Sequence, residues 1–401
     1  MESRDSKDRQ MYLERALRAA DWFVNTQIGG DRAEWNGDWG RFLYYYYMPE
    51  RKHIPGLNWT MGRALFVLSE AYSITGKDSY RQAAEMGARY IAALQVMDSH
   101  YETIYGVIKE RVPQGSFCGA LDGAQAASGL LMLAQATKND DYLRRGKSFC
   151  DYILRHFDPE KGMPSSADMY PEETVEYGTG FGLASIGQCT AIPLWHLYRR
   201  TGEKKYLEPV IWGADFICSC QKDDGSITYI PDPSQTEPPH PNHHFGLGEG
   251  DERYLLRNDD GIVVVILAAY MATEESRYLD AAVAYADWIR DNEPHERPFC
   301  AFPVQANNLL DIGRAAGKDY SDWVLDNLDK HLLSLQVTDS DDPRALGGFR
   351  GEDEEGDGGI FGGTSLDYVV TRVTCYAAGT LFRLSGKGTG AGFSPFGMET
   401  E

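Results

Sequence analysis

The sequence predicts an all-α chain whose helices pair into a closed double ring, with short turns at one end and long loops at the other. Three observations carry this: a recurring turn signature, a strict alternation of short and long connections, and a difference in chemistry between alternate helices. The signature reads Ala71-Tyr72-Ser73-Ile74-Thr75-Gly76-Lys77-Asp78-Ser79-Tyr80, returns at Ala134–Tyr142, Leu197–Tyr206 and Ala269–Tyr278, and is looser at Ala315–Tyr320. Each copy closes one helix with Thr-Gly or a polar substitute and opens the next with a tyrosine. Repetition of one such unit means that neighbouring units stack to share a core.

In chain order, apolar periodicity places helices at about 8–27, 59–74, 79–96, 122–137, 140–156, 184–200, 203–220, 260–273, 276–291, 303–315, 319–335 and 364–385. Between the hairpins, stretches near 28–58, 98–121, 158–183, 222–258, 293–302 and 337–363 carry Gly, Pro, Asp and aromatic residues without helical periodicity. If consecutive helices are antiparallel neighbours, the long loops gather on one face and form a funnel there. Helices that follow long loops, such as Ala124–Leu133 and Ile262–Ala269, are apolar nearly all round, which requires burial on every side. Those that follow short turns, such as Arg144–Ile153 and Tyr206–Ile217, are two-faced and form the outer ring. An open helical solenoid is the competing arrangement.

The 401 residues, 42% hydrophobic and 25% charged, suit one domain over 1–401 with a C-terminal tail from about 388. A formal charge of -21, from 60 acidic and 39 basic side chains, argues against nucleic acid and anionic membranes as partners. No run approaches the ~18 apolar residues of a membrane span, and no apolar signal core follows Met1, so a cytoplasmic location is expected. The seven cysteines show neither a paired framework nor zinc-ligand spacing and read as reduced thiols.

In length, loop alternation and inner/outer contrast, the chain resembles the (α/α)6 toroids of carbohydrate-active enzymes, particularly unsaturated uronyl hydrolases, and beside them toroid polysaccharide lyases and uronyl epimerases. The resemblance implies an (α/α)6 barrel and an oligosaccharide substrate. It also implies acidic catalysts at the starts of inner helices, with Asp122 the first position to carry over. Sugar 2-epimerases share fold and size, but their histidine-rich inner-helix signatures are missing here.

Inner helices start at the funnel, where their positive ends point inward. Leu121-Asp122-Gly123 and Asn258-Asp259-Asp260-Gly261 occupy corresponding points of two repeats. Asp122 with Asp259 or Asp260 can therefore supply a general acid and a general base or nucleophile, although an aspartate there is equally suited to capping a helix. In the longest loop, His240-Pro241-Asn242-His243-His244 offers His243 to relay a proton and Asn242 and His244 to hold substrate. It lacks a His-x3-His metal platform, and no metal or other cofactor is expected. Tyr177, within the Gly- and Thr-rich stretch 173–182, is a further acid-base candidate.

Trp35, Trp39, Tyr45 and other loop aromatics suit the apolar faces of sugar rings. Arg63, Arg257 and Arg350 could hold a carboxylate. The acidic run 352–357 lacks the alternating ligands of a calcium loop. The function expected is a glycoside hydrolase acting on a short uronic-acid-containing or related oligosaccharide. Rival readings are a lyase or uronyl C5-epimerase using Tyr177 or a histidine, and a non-catalytic sugar-binding protein or terpene-type cyclase.

Overall fold

The computed structural model describes residues 2–29, 38–110, 117–169, 175–180, 183–228, 255–256, 261–294, 301–351, 361 and 363–397. In chain order the helices are α1 (Glu2–Thr26), α2 (Asn58–Thr75), α3 (Asp78–Leu94), α4 (Ala120–Thr137), α5 (Asp140–His156), α6 (Leu183–Cys189), α7 (Trp195–Thr201), α8 (Lys204–Ser219), α9 (Ile262–Thr273), α10 (Ser276–Asn292), α11 (Ala301–Ala316), α12 (Ser321–His331) and α13 (Thr371–Leu384). A π-helical turn, Thr190–Leu194, joins α6 to α7 and accommodates Pro193, which has no amide hydrogen to donate to an α-helical ladder.

The fold is an (α/α)6 toroid. Each inner helix packs on the next in the order α2, α4, α6, α9, α11, α13, and α13 packs back on α2. That last contact closes the ring and removes the solenoid alternative. The inner helices are buried on every side; along α9, Ile262 through Ala269 are all at most 3% exposed. Backbones of α2 and α4 come close enough that a β-carbon on Gly62 would fall 2.1 Å from the Gln125 carbonyl oxygen, so only glycine fits there.

The repeated turn has a single chemistry. Gly76, Lys138, Gly202, Glu274 and Gly317 all adopt the left-handed conformation just past a helix end. The threonine before four of them bonds back to a carbonyl one turn earlier, as Thr75 does to Ala71 at 2.6 Å and Thr201 to Leu197 at 2.6 Å. The tyrosine that opens the following outer helix then docks on an aspartate of the preceding outer helix. Tyr80 donates to Asp21 at 3.0 Å, Tyr206 to Asp151 at 2.9 Å, Tyr278 to Asp215 at 2.7 Å and Tyr320 to Asp287 at 3.2 Å. Burial, with the neighbouring carboxylate, raises these phenols above their usual range; Tyr320 reaches about 12. A belt of Tyr–Asp bonds thus ties outer helices together. Tyr80→Phe is expected to cost about 1 kcal/mol in chemical denaturation, with the fold unchanged.

The long loops contain two small sheets. Strands β1 (Leu43–Tyr47), β2 (Lys52–Pro55) and β6 (Tyr368–Val370) form one antiparallel sheet in the order β2-β1-β6, with Tyr46 opposite Val369. It joins the first loop to the last across the seam where the ring closes. Strands β3 (Phe117–Gly119), β4 (Met163–Met169) and β5 (Val175–Gly180) form the other, in that order. The last helix starts at Thr371 rather than 364, because a capped 3-10 turn at Ser365–Asp367 and β6 occupy the intervening residues.

At the seam, Asp342 is buried and accepts hydrogen bonds from Tyr46 and from Arg344 at 3.0 Å. Burial pushes its carboxyl upward, but Arg344 and Tyr46 outweigh it and hold the group at about 2. A depressed folded value stabilises the protein above the ordinary carboxyl range and is lost as pH falls through about 2. The difference in melting temperature between wild type and Asp342→Asn should therefore be full above about pH 4 and shrink below it.

The tail expected from about 388 is packed into the ring as a strap that seals the short-turn end. Phe393 meets Phe66 at 5.4 Å and Tyr376 at 4.6 Å between ring centroids. Trp195 donates to the Pro395 carbonyl at 3.0 Å, Ser394 donates to Asp311 at 2.8 Å, and Glu70 accepts from the Thr389 and Gly390 amides at 2.6 and 2.8 Å.

Candidate active site

With the strap packed at the short-turn end, the other end of the axis faces the long loops. Asp122 stands there, in the first turn of α4. The helix begins two residues earlier than the sequence suggests and is capped by Gly119 without a side-chain bond, so Asp122 is not its N-cap. Its carboxylate converges with a second one on Gly119. The point where a β-carbon of Gly119 would sit is 3.1 Å from Asp122 Oδ2 and 3.5 Å from Glu110 Oε1. These oxygens therefore lie within about 7 Å of each other, the scale on which paired carboxylates act across a glycosidic bond.

Local folding explains the pairing. Glu110 ends the stretch that returns from α3, and its carbonyl accepts the Asn58 amide at 3.1 Å, at the start of α2. The adjacent inner helix α4 contributes Asp122. Behind them lie the buried thiols of Cys118 and Cys189. Burial first, with Asp122 adding, pushes both thiols far above their usual range, so they form an uncharged wall. Cys118, Cys150, Cys189, Cys218, Cys220 and Cys375 are all free thiols, and the described residues hold no group of side chains suited to a metal ion.

One turn deeper, a polar tier crosses the axis. Arg63 of α2 donates to Gln125 of α4, which donates to Gln188 of α6. The Arg63 guanidinium lies 4.6 Å from the Tyr376 ring centroid and 5.6 Å from that of Trp59. Across the axis, Asn307 bonds to Thr380 at 3.0 Å. These groups surround a cavity of about 50 Å³ that also touches Gly261 at the entry to α9. Buried polar groups are costly unless paired, and an apolar ring would be the cheaper way to fill this space. Their concentration beneath Asp122 makes this end of the axis the candidate site.

The other residues singled out from sequence are distributed as follows. Arg63 reaches the axial cavity. Tyr177 lies on β5 opposite Ala167 of β4, and its side chain falls outside the described part. Trp35, Asn242, His243, His244, Arg257, Asp259 and Asp260 lie outside the described residues.

Three binding candidates do not line the axial cavity. Trp39 is 52% exposed, with its indole nitrogen 3.1 Å from the Met86 sulfur on outer helix α3. Tyr45 is 7% exposed on β1, stacked on Tyr44 at 4.0 Å and edge-on to Tyr368 at 5.8 Å. Its ring packs within the seam sheet. Arg350 donates its amide to Leu335 at 2.9 Å, and its Nε is buried without a partner among the described residues. Glu110 was missed because nothing local marks it: it sits in an aperiodic loop and gains its neighbour only when α3 and α4 pack.

The fold and site together define an (α/α)6 toroid with a carboxylate-bearing mouth. No family model matches the chain, and no curated protein matches it in sequence. Solved structures do. A family 76 glycoside hydrolase (mannosidase) from Bacteroides thetaiotaomicron aligns with a TM-score of 0.61 at 16% identity, covering 93% of this chain and 99% of that one. An inactive variant of an α-1,6-mannanase from Salegentibacter sp., with two adjacent aspartates replaced and α-1,6-mannotetrose bound, aligns with a TM-score of 0.59 at 12% identity over 93% and 98%. An α-amylase from Clostridium perfringens aligns at 0.55 and 14% over 91% and 97%. At these identities the likeness establishes a shared fold along nearly the whole chain.

Proposed function

We propose that this protein is a glycoside hydrolase acting on a short oligosaccharide held in the funnel, with Asp122 and Glu110 as its carboxylate pair. The observation that carries the reading is the convergence of these two groups on Gly119 above a buried polar tier. Asp122 lies in the first turn of α4, where the helix end favours a negative charge, which suits it to act ionised as base or nucleophile. Glu110, on a loop without that field, suits the acid that protonates the departing glycosidic oxygen. Water completes the reaction: its hydroxyl ends on the anomeric carbon and its proton replaces the one given to the leaving group. Asp259 and Asp260 precede Gly261 at the cavity and remain candidates for the same chemistry, as do Tyr177 and His243 for positioning or proton relay.

Two substrate classes are supported by different observations. The similar structures are named as a mannosidase, an α-1,6-mannanase and an α-amylase, which puts neutral α-linked oligosaccharides, α-1,6-mannosides first, at the head of the assay. Arg63 at the axial cavity supports a uronic-acid-containing oligosaccharide, whose carboxylate a guanidinium can hold. Incubation with both sets, followed by mass spectrometry, tests the reading. Products that sum to substrate plus water support it. An unsaturated product, or an isomer of unchanged mass, would replace it with elimination or epimerisation.

A further inference from the structure

The polar tier beneath Asp122 runs in one direction and ends on a donor. A guanidinium can only donate, so Arg63 Nε fixes Oε1 of Gln125 as its acceptor and turns the Gln125 amide nitrogen toward Gln188. Gln188 receives that nitrogen on Oε1, which leaves its own amide nitrogen, Nε2, at the end of the chain. The start of the chain is held by backbone packing: α2 and α4 touch at Gly62 and Gly129, where a β-carbon on Gly129 would lie 2.7 Å from the Gly62 Cα. Gln188 is 7% exposed and lines the axial cavity, and its Nε2 has no hydrogen-bond partner among the described residues. A buried donor without a partner is costly, so this one is suited to an acceptor brought by a ligand.

The shape of the cavity says which part of a ligand enters. At about 50 Å³ it holds a few water-sized groups, far below the roughly 300 Å³ at which whole small-molecule sites begin. It therefore admits an exocyclic group and excludes a sugar ring. Phe66, Val264, Val304 and Phe393 give it apolar walls. Ala191 and Ile192 of the π-helical turn line it as well, and such turns are frequent at functional sites. Its depth also fits. Gln125 follows Asp122 by three residues on α4, about 4.5 Å further along the helix axis, comparable to the span of a pyranose from its anomeric carbon to the oxygen carried on C6.

We propose that Gln188 is a specificity-determining residue: its amide donates to the oxygen on C6 of the sugar whose glycosidic bond lies between Asp122 and Glu110, and the axial cavity admits that group. This rests on the carboxylate pair as the reacting centre. The acceptor is a hydroxymethyl oxygen in a hexoside or a carboxylate oxygen in a hexuronide. A pentoside, which carries only hydrogen there, leaves the donor unpaired.

The test compares 4-nitrophenyl glycosides that differ only at C6: α-mannoside with α-lyxoside, α-glucoside with α-xyloside, and β-glucuronide with β-xyloside. Wild type should favour the C6-bearing member of at least one pair by about 100-fold or more in kcat/KM, and Gln188→Met should lower that ratio at least about tenfold. A ratio between two substrates does not depend on how much of the variant is folded. Preference in the mannoside or glucoside pair assigns a hydroxymethyl group, and preference in the glucuronide pair assigns a carboxylate. Calorimetric titration of Asp122→Asn, and of Asp122→Asn/Gln188→Met, reads the same selectivity without cleavage. Selective binding that Gln188→Met removes, in an enzyme whose wild type cleaves none of these glycosides, would uphold the subsite and count against hydrolysis. Equal cleavage of both members of every pair, or a ratio unchanged in Gln188→Met, would overturn the subsite and leave hydrolysis standing. Failure of every glycoside to bind would also overturn the subsite.

Discussion

Asp122→Asn is expected to lower turnover of a cleaved oligosaccharide by about 100- to 10,000-fold, the usual contribution of a positioned acid or base. Its unfolding free energy should change by less than about 1 kcal/mol, because the N-cap of α4 is Gly119 and the amide is isosteric with the carboxylate. The amide keeps the shape of the carboxylate but carries no charge, so it can neither activate water nor attack the anomeric carbon. Glu110→Gln should lower turnover by a similar factor on natural linkages but by much less on an aryl glycoside, whose leaving group needs no protonation. That asymmetry distinguishes the two roles. Equal losses on both substrates for Glu110→Gln would mean that it only shapes the site.

Asp311→Ala should give the largest loss of stability, about 3–5 kcal/mol by chemical denaturation, the range for removing one partner of a buried ion pair. Asp311 is 1% exposed; it pairs with Arg383 and accepts the Ser394 hydroxyl at 2.8 Å. Burial draws the Arg383 guanidinium down to about 10, which marks how poorly that charge is solvated. Deleting the aspartate strands it and detaches the strap at Ser394 in one step. Asp311→Asn, which can still accept from Ser394, should cost less. Replacing Asp311 and Arg383 together with apolar residues of similar volume should recover part of the loss, since the stranded charge is then gone. A loss below about 1 kcal/mol for Asp311→Ala would show that the strap is not anchored there.

Much of the architecture was legible because its signals are local. Thr75-Gly76 and Thr201-Gly202 stop helices through a backbone conformation and a threonine bond that need no partner from elsewhere, and the apolar run Ile262–Ala269 can only be an inner helix. Lys138 and Glu274 show how far that signature stretches: they adopt the glycine conformation without being glycine. What depends on packing was not legible. Tyr44–Tyr47 read as part of a long loop but belong to β1, because the matching strand, Tyr368–Val370, lies more than 300 residues away. The stretch from about 388 reads only as a tail, yet Phe393 packs against the core and Pro395 is buried. At the site, Asp122 was visible from its place at an inner-helix start, whereas Glu110 becomes its neighbour only through the α3–α4 connection.

The most direct test of the account is to cleave an α-1,6-mannooligosaccharide or a uronate-containing oligosaccharide in ¹⁸O-labelled water with wild type and Asp122→Asn. Hydrolysis by the paired carboxylates predicts one ¹⁸O in the new reducing end with wild type, and a rate reduced at least about 100-fold in the variant. Products without label, or full activity in Asp122→Asn, would contradict it.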